Sequence, residues 1–180
     1  EVDYLALSFV REASDVAQLR EHIASAAHPP QVIAKVEDQF AVAHIDAIIA
    51  EADAIMVARG DLGVECPFED FPILQRQIVR ACQLAGRPVI VATHMLESMI
   101  GEPMPTRAEV TDVANAVYEQ ADAIMLSSET SVGQFPVMAV AAMDRIARRM
   151  EREPAARFHA DAPLTDARQK LAKAAVRMAD

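Results

Sequence analysis

Apolar residues along the chain follow two rhythms. Five short runs, at 4–9, 32–36, 54–58, 89–92 and 123–126, are rich in Val, Ile, Leu, Met or Ala at successive positions. Strands apolar on both faces suit a parallel sheet covered by helices. The stretches between them have helical spacing. Residues 14–27 put Val16, Leu19 and Ile23 on one face. Residues 41–52 do so with Ile45, Ile48 and Ile49, and 73–84 with Leu74, Ile78 and Cys82. Residues 108–120 and 137–150 complete the set. Ser14 and Asp38 stand where N-caps are expected, and Pro88 follows Gly86 as a strand start follows a helix stop.

The strands begin near residues 4, 32, 54, 88 and 122, a βα repeat. The expected fold class is α/β with a parallel sheet, either doubly wound or a closed barrel. Both architectures keep their functional groups at the carboxyl ends of the strands. No Gly-x-Gly-x-x-Gly opens a helix and no P-loop occurs, so a dinucleotide or P-loop site is not supported. Five strands fall short of an eight-stranded barrel of ~250 residues. There is one internal echo: Glu51-Ala52-Asp53-Ala54-Ile55-Met56 is matched by Gln120-Ala121-Asp122-Ala123-Ile124-Met125. It reads either as reused αβ-turn chemistry or as an old duplication. After Met150 the texture changes. Residues 151–165, with Pro154 and Pro163, read as a linker. Residues 166–180 read as an amphipathic helix with Leu171, Ala174, Ala175 and Met178 on one face.

Composition narrows the classes. Apolar residues make up 52 % and charged residues 24 % of the 180, enough to build a core. No apolar run approaches the ~18 residues of a membrane span. The formal charge of −10, with no Trp and two Tyr, argues against a nucleic-acid binder. The two cysteines, Cys66 and Cys82, form no Cys-x-x-Cys pair, and Glu1-Val2-Asp3 carries no basic leader. A reducing, cytoplasmic setting is expected.

Polar side chains gather where the strands end. Side chains two apart on a strand share a face, so Lys35 and Glu37 lie together at the end of the second strand. The third strand runs into Arg59-Gly60-Asp61-Leu62-Gly63 and the fourth ends at Thr93-His94. The fifth ends at Ser127-Ser128-Glu129-Thr130 and the first at Ser8-Phe9-Val10-Arg11. A Lys and a Glu among Val and Ile are costly unless paired or ligated. One reading is a plain ion pair. The other adds Asp61: two carboxylates from adjacent strand ends offer the hard oxygens that Mg²⁺ takes alongside water and substrate oxygens. Gly60 and Gly63 let the backbone approach a ligand closely, and a helix turn there would offer amides to an anion. His94, with no second histidine near, reads as a wall residue. Cys66, Cys82 and the nine Met read as core. Arg107, Glu109 and Asp112, after Pro105-Thr106, read as a helix cap with surface or interface ion pairs.

The motifs together resemble one family. Ile33-Ala34-Lys35-Val36-Glu37 and Ile55-Met56-Val57-Ala58-Arg59-Gly60-Asp61-Leu62-Gly63-Val64-Glu65 are similar to pyruvate kinases. So are residues 88–100, Pro105-Thr106-Arg107-Ala108-Glu109-Val110, Asp112-Val113-Ala114-Asn115-Ala116-Val117 and Ile124-Met125-Leu126-Ser127, in that order. The resemblance implies a partial (β/α)8 TIM barrel, its fourth to eighth strands, over 1–150, followed by the start of a C-terminal domain. It implies phosphoryl transfer from phosphoenolpyruvate to ADP, giving pyruvate and ATP in glycolysis. It also implies that Lys35 stabilises charge on the phosphoryl group and the enolate oxygen. Glu37 and Asp61 are implied ligands of Mg²⁺ or Mn²⁺, which also holds the substrate carboxylate and carbonyl oxygen. Gly60 and Thr93 are implied substrate contacts, and Ser127 matches a serine at the end of the eighth strand. Two positions depart from the pattern: His94 stands where the family has Gln, and Ser128 where it has Gly.

Set against the family it resembles, this sequence does not contain the first three barrel strands, which there supply a substrate-binding arginine and the K⁺ ligands, nor the lid domain and most of the C-terminal domain. The expectation is a fragment, a truncated homologue or one piece of a larger homo-oligomeric assembly, with ADP and ATP bound only if the missing segments are supplied. Three rivals predict other behaviour. A truncated barrel would bind metal and a 2-oxo acid without turnover. A metal-dependent aldolase-type lyase would cleave without nucleotide. An open barrel serving as an interaction module would carry a partner.

Overall fold

The computed structural model describes residues 2–152 and 166–179. Five parallel strands form one sheet in the order β1-β2-β3-β4-β5: β1 Tyr4–Leu7, β2 Gln31–Val36, β3 Ala54–Ala58, β4 Val89–Ala92 and β5 Ala123–Met125. Each pairs with its sequence neighbour, so every connection is a crossover through helix. The crossovers are α1 Ala13–Ile23, the pair α2 Gln39–Ala43 and α3 Ile45–Glu51, then α4 Arg59–Glu65 with α5 Phe71–Ala85, and α6 Arg107–Tyr118. After β5 come a short α7, Ser128–Ser131, and α8 Pro136–Glu151. Among the described residues the sheet does not close: β1 and β5 are its two edges. This is the α/β architecture expected of part of a barrel.

Strand register explains the two faces. Leu7, Val32, Ala34, Val36, Ile55, Val57, Val89, Val91 and Ile124 are cross-strand neighbours on one face. They pack into the core with Val16, Ile48, Ile49, Ile78, Val79 and Cys82 from the helices. Burying each such Val or Ile contributes about 1.5–3 kcal/mol. The other face carries Tyr4, Ala6, Ile33, Lys35, Met56, Ile90, Ala123 and Met125. Tyr4 is 55 % exposed, and Ile33, Ile90 and Met125 are only half-buried. The central strand β3 is buried along its whole length, whereas the edge strands are not.

Local chemistry sets most element ends. Asp38 caps α2 by accepting the Ala41 amide at 2.8 Å. Burial pushes its carboxyl up, but the Ala41 amide and Arg11 outweigh this and hold it below the ordinary range. Thr106 and Glu109 form the capping box of α6. Gly86 ends α5 in the left-handed region at φ 66°, while the Arg87 amide returns to Cys82 O at 2.9 Å. Ser14 is not a cap: α1 starts one residue before it, and Glu12 and Asp15 make the capping box. The single helix expected at 41–52 is two, broken at His44. Residues 167–179 form α9, Ala167–Ala179, with Leu171 and Met178 exposed. Beyond Arg152, the linker expected at 151–165 lies outside the described residues.

The internal echo has a physical basis. The Asp53 amide donates to Val32 O at 2.9 Å, and Asp53 Oδ2 accepts the Val32 amide at 2.8 Å. Asp122 repeats both bonds on Val89, at 3.0 and 2.8 Å. Each aspartate therefore closes the first peptide of the neighbouring strand from both sides. Asp53→Ala leaves the buried Val32 amide without its acceptor and removes one partner of Arg20, which pairs with Asp53 at 2.8 Å and also bonds Glu51 O. The expected cost is about 1–3 kcal/mol, read as a lower urea midpoint; an unchanged midpoint would assign the turn to the backbone alone.

Candidate active site

The strand ends place charge where the sequence expects it. Lys35 leaves the open face of β2, and its Nζ lies 2.6 Å from Glu37 Oε1 and 2.9 Å from Ser8 Oγ. Glu37 is 1 % exposed, and its second oxygen accepts the Phe9 amide. Phe9 reaches that position with φ 53°, in the left-handed region. The end of β1 and the end of β2 are thus joined through one buried carboxylate. The pair is an ion pair, as the simpler reading held, and its lysine remains partly open to solvent.

Strand β3 passes directly into α4, so a helix turn does follow at Gly60 and Gly63. Asp61 lies in its first turn with an exposed carboxylate. Among the described residues that carboxylate has no hydrogen-bond or ion-pair partner. Because Val36 and Val57 are register partners, Glu37 and Asp61 leave the same edge of the sheet from adjacent strands. No cluster of three His, Cys, Asp or Glu side chains gathers there among the described residues. Two carboxylates thus leave this edge, one buried and paired with Lys35 and one exposed; a hard divalent ion takes one or two carboxylates alongside water and substrate oxygens. Packing does not demand glycine at the two flanking positions. A Cβ on Gly60 would sit in ordinary contact with Thr93 Oγ1 at 3.5 Å, and one on Gly63 would meet nothing within 4 Å.

The end of β4 is strained. Thr93 and His94 have φ of 67° and 50°, a region that a β-branched residue adopts only when its surroundings impose it. Thr93 Oγ1 accepts the Gly60 amide at 2.7 Å and donates to Ala92 O at 2.7 Å. His94 is exposed, with Nε2 4.0 Å from Glu97 Oε1. It lines a cleft of about 290 Å³ with Arg59, Gly63, Phe68, Phe71 and Asp112. At the end of β5, the Ser127 amide donates to Glu129 Oε2 at 2.8 Å. Glu129 Oε1 accepts the Leu96 amide at 3.0 Å, tying the loops after β4 and β5 together. Ser128 opens α7 without a positive φ, so this turn accommodates serine in place of glycine.

The structure thus joins Lys35 with Glu37 and Gly60 with Thr93, and ties Ser127 to the loop that follows Thr93. Sequence reasoning missed three groups: the Phe9 amide, Arg59 with Asp112, and Glu129. Asp112 makes an ion pair, as expected of it, and its partner is the buried Arg59 at 2.7 Å. Glu109 has the capping role expected of it. Burial raises its carboxyl, but bonds from Ser98 and Thr106 outweigh this and hold it below the ordinary value. Cys82 is buried, and burial with Asp122 nearby pushes its thiol up to about 12, so it is an inert core residue. No described helix is long and apolar enough to cross a membrane.

Comparison with known proteins points to one family. A family model described as the barrel domain of pyruvate kinase matches residues 1–140. Pyruvate kinase 2 of Synechocystis is 47 % identical over 179 residues, covering 99 % of this chain and 30 % of that protein. The pyruvate kinase of Geobacillus stearothermophilus is 53 % identical over 151 residues, covering 83 % of this chain and 26 % of its own length. Plastidial pyruvate kinase 3 of Arabidopsis thaliana is 50 % identical over 151 residues, covering 84 % and 26 %. The chain therefore spans less than a third of the length of these relatives. An open parallel sheet with its charged groups at the strand ends, matched over this length at this identity, makes the chain a member of the pyruvate kinase family.

Proposed function

We propose that this chain carries the metal and enolate half of a site that transfers a phosphoryl group from phosphoenolpyruvate to ADP. The observation that carries the reading is the Lys35–Glu37 pair at the end of β2 and, past the end of the adjacent β3, an Asp61 carboxylate with no partner among the described residues. Phosphoryl transfer is catalysed mainly by positioning and charge stabilisation, and these residues supply both. Lys35 presents an ammonium, steadied by Ser8 and Glu37, to the oxygens on which charge develops. Glu37 and Asp61 would hold Mg²⁺ or Mn²⁺, which when bound supplies Lewis-acid stabilisation of negative oxygen. Thr93 places a hydroxyl beside the Gly60 amide, where the substrate carboxylate and enolate carbon would lie. Ser127 closes the row at the fifth strand.

A coupled assay on the intact gene product, following pyruvate and ATP from phosphoenolpyruvate, ADP and Mg²⁺, tests the reading. Metal-dependent pyruvate binding without ATP formation would replace it with a binding role. Asp61→Asn is expected to weaken Mn²⁺ binding by at least the ~10–100-fold that loss of a mere outer-shell partner costs, read by calorimetry or by the paramagnetic signal of free Mn²⁺. Unchanged affinity would move the metal elsewhere.

A further inference from the structure

Arg59 is a charged side chain that is 5 % exposed. Its Nε and Nη2 donate to Thr93 O at 2.9 and 2.8 Å. Nη2 also lies 2.8 Å from His94 O and 2.9 Å from Met95 Sδ. Nη1 donates to Asp112 Oδ1 at 2.8 Å, and Nη2 stands 2.7 Å from Asp112 Oδ2. One guanidinium thus grips two successive carbonyls on the loop after β4 and a carboxylate on α6. Both carbonyls belong to residues in the left-handed region, and one of these is a threonine. Without an external hold, such a turn relaxes toward negative φ. The consequence falls on Thr93, whose Oγ1 accepts the Gly60 amide at 2.7 Å in this left-handed conformation.

We infer that Arg59 is a positioning residue: anchored by Asp112, its guanidinium holds the Thr93–His94 turn in its left-handed form and so aims the Thr93 hydroxyl at Gly60. The inference rests on the proposed function, which puts Thr93 and Gly60 beside the substrate. A lysine cannot take this place. The guanidinium is a rigid planar fork with five donors, and it reaches carbonyls on one side and a carboxylate on the other. An ammonium is a single point on a flexible stem.

The test compares Arg59→Lys and Asp112→Asn with the wild type in the intact gene product, reading activity and amide exchange separately. Arg59→Lys is expected to lower kcat about 10²-fold, the scale of a 1 Å misplacement, with the KM for the divalent metal unchanged within about twofold. Gly60 amide exchange should speed up at least ~10-fold, while the Ile55 and Val57 amides of β3 keep their protection. Asp112→Asn keeps one acceptor and should show the same pattern more weakly. Arg59→Ala should regain part of its activity with methylguanidine, which can enter by the cleft that Arg59 lines. Arg59→Lys with wild-type kcat and wild-type Gly60 protection would overturn the inference. So would loss of Gly60, Ile55 and Val57 protection together, which marks a merely structural tie. If the wild type transfers no phosphoryl group, the proposed function fails, and the Gly60 exchange still decides the role of Arg59.

Discussion

Lys35→Met is expected to lower phosphoryl transfer by about 10³-fold or more while leaving divalent-metal affinity within a few-fold of the wild type. A single preorganised charge aimed at developing negative oxygen is worth ~10²–10³ in rate, and more where the reacting group is a phosphoryl. Lys35 is preorganised in this sense: Ser8 and Glu37 hold its Nζ at 2.9 and 2.6 Å before any substrate binds. Methionine keeps the length of the stem and removes the charge. The substitution also leaves Glu37 with only the Phe9 amide as partner, and a buried carboxylate that loses its cation destabilises the fold. Because the lysine end of the pair is partly solvated, that cost is smaller than for a fully buried pair. A folded Lys35→Met protein with a normal Mn²⁺ titration and no turnover is the predicted result. Lys35→Arg separates charge from shape, since it keeps the cation and displaces it. Turnover of Lys35→Met within tenfold of the wild type would remove Lys35 from the transfer step.

The parts of this architecture that depend on local pattern are legible in the sequence. All five strands, the Asp38 cap and the Gly86 stop follow from hydrophobic period and end chemistry. The Lys35–Glu37 pair follows from two-residue spacing on a strand. What escapes is set by distant partners. Helix α4 contains Gly60 and Gly63 although glycine is a poor helix former; it forms where β3 delivers it, with Leu62 buried in the core. The break at His44 divides one apolar stripe into two short helices, and nothing in the stripe marks it. Arg59 bonds residues 34 and 53 positions away. A buried charge of this kind has the same local sequence signature as a solvated one. The left-handed Thr93 and His94 carry no glycine or asparagine to announce them. Tertiary hydrogen bonds, rather than propensity, hold them, so the motif names the residues without giving their geometry.

Glu129 shows how much such a tertiary bond carries, and Glu129→Ala is expected to cost about 3 kcal/mol in the stability of the sheet's carboxyl edge. The carboxylate is 2 % exposed and accepts one amide on each oxygen, Leu96 at 3.0 Å and Ser127 at 2.8 Å. Removing it leaves two amides without acceptors, and each buried unsatisfied group costs about 1–3 kcal/mol. Glutamine should not rescue the site. Its carbonyl oxygen can take one amide, but its NH₂ then faces the other, donor against donor. Aspartate is one carbon short of bridging both loops. The effect should be local. Amides of residues 95–99 and 127–131 should lose protection in hydrogen exchange, while those of β2 and β3 keep theirs. Because Arg59 grips the carbonyls of Thr93 and His94 and Glu129 the amide of Leu96, the loop after β4 is held from both ends by buried side chains of opposite charge. Loss of either should loosen Thr93 at the site. A Glu129→Gln protein as stable as the wild type would mean that water reaches both amides and that the loops are held by packing of Met95, Leu96 and Met99 alone.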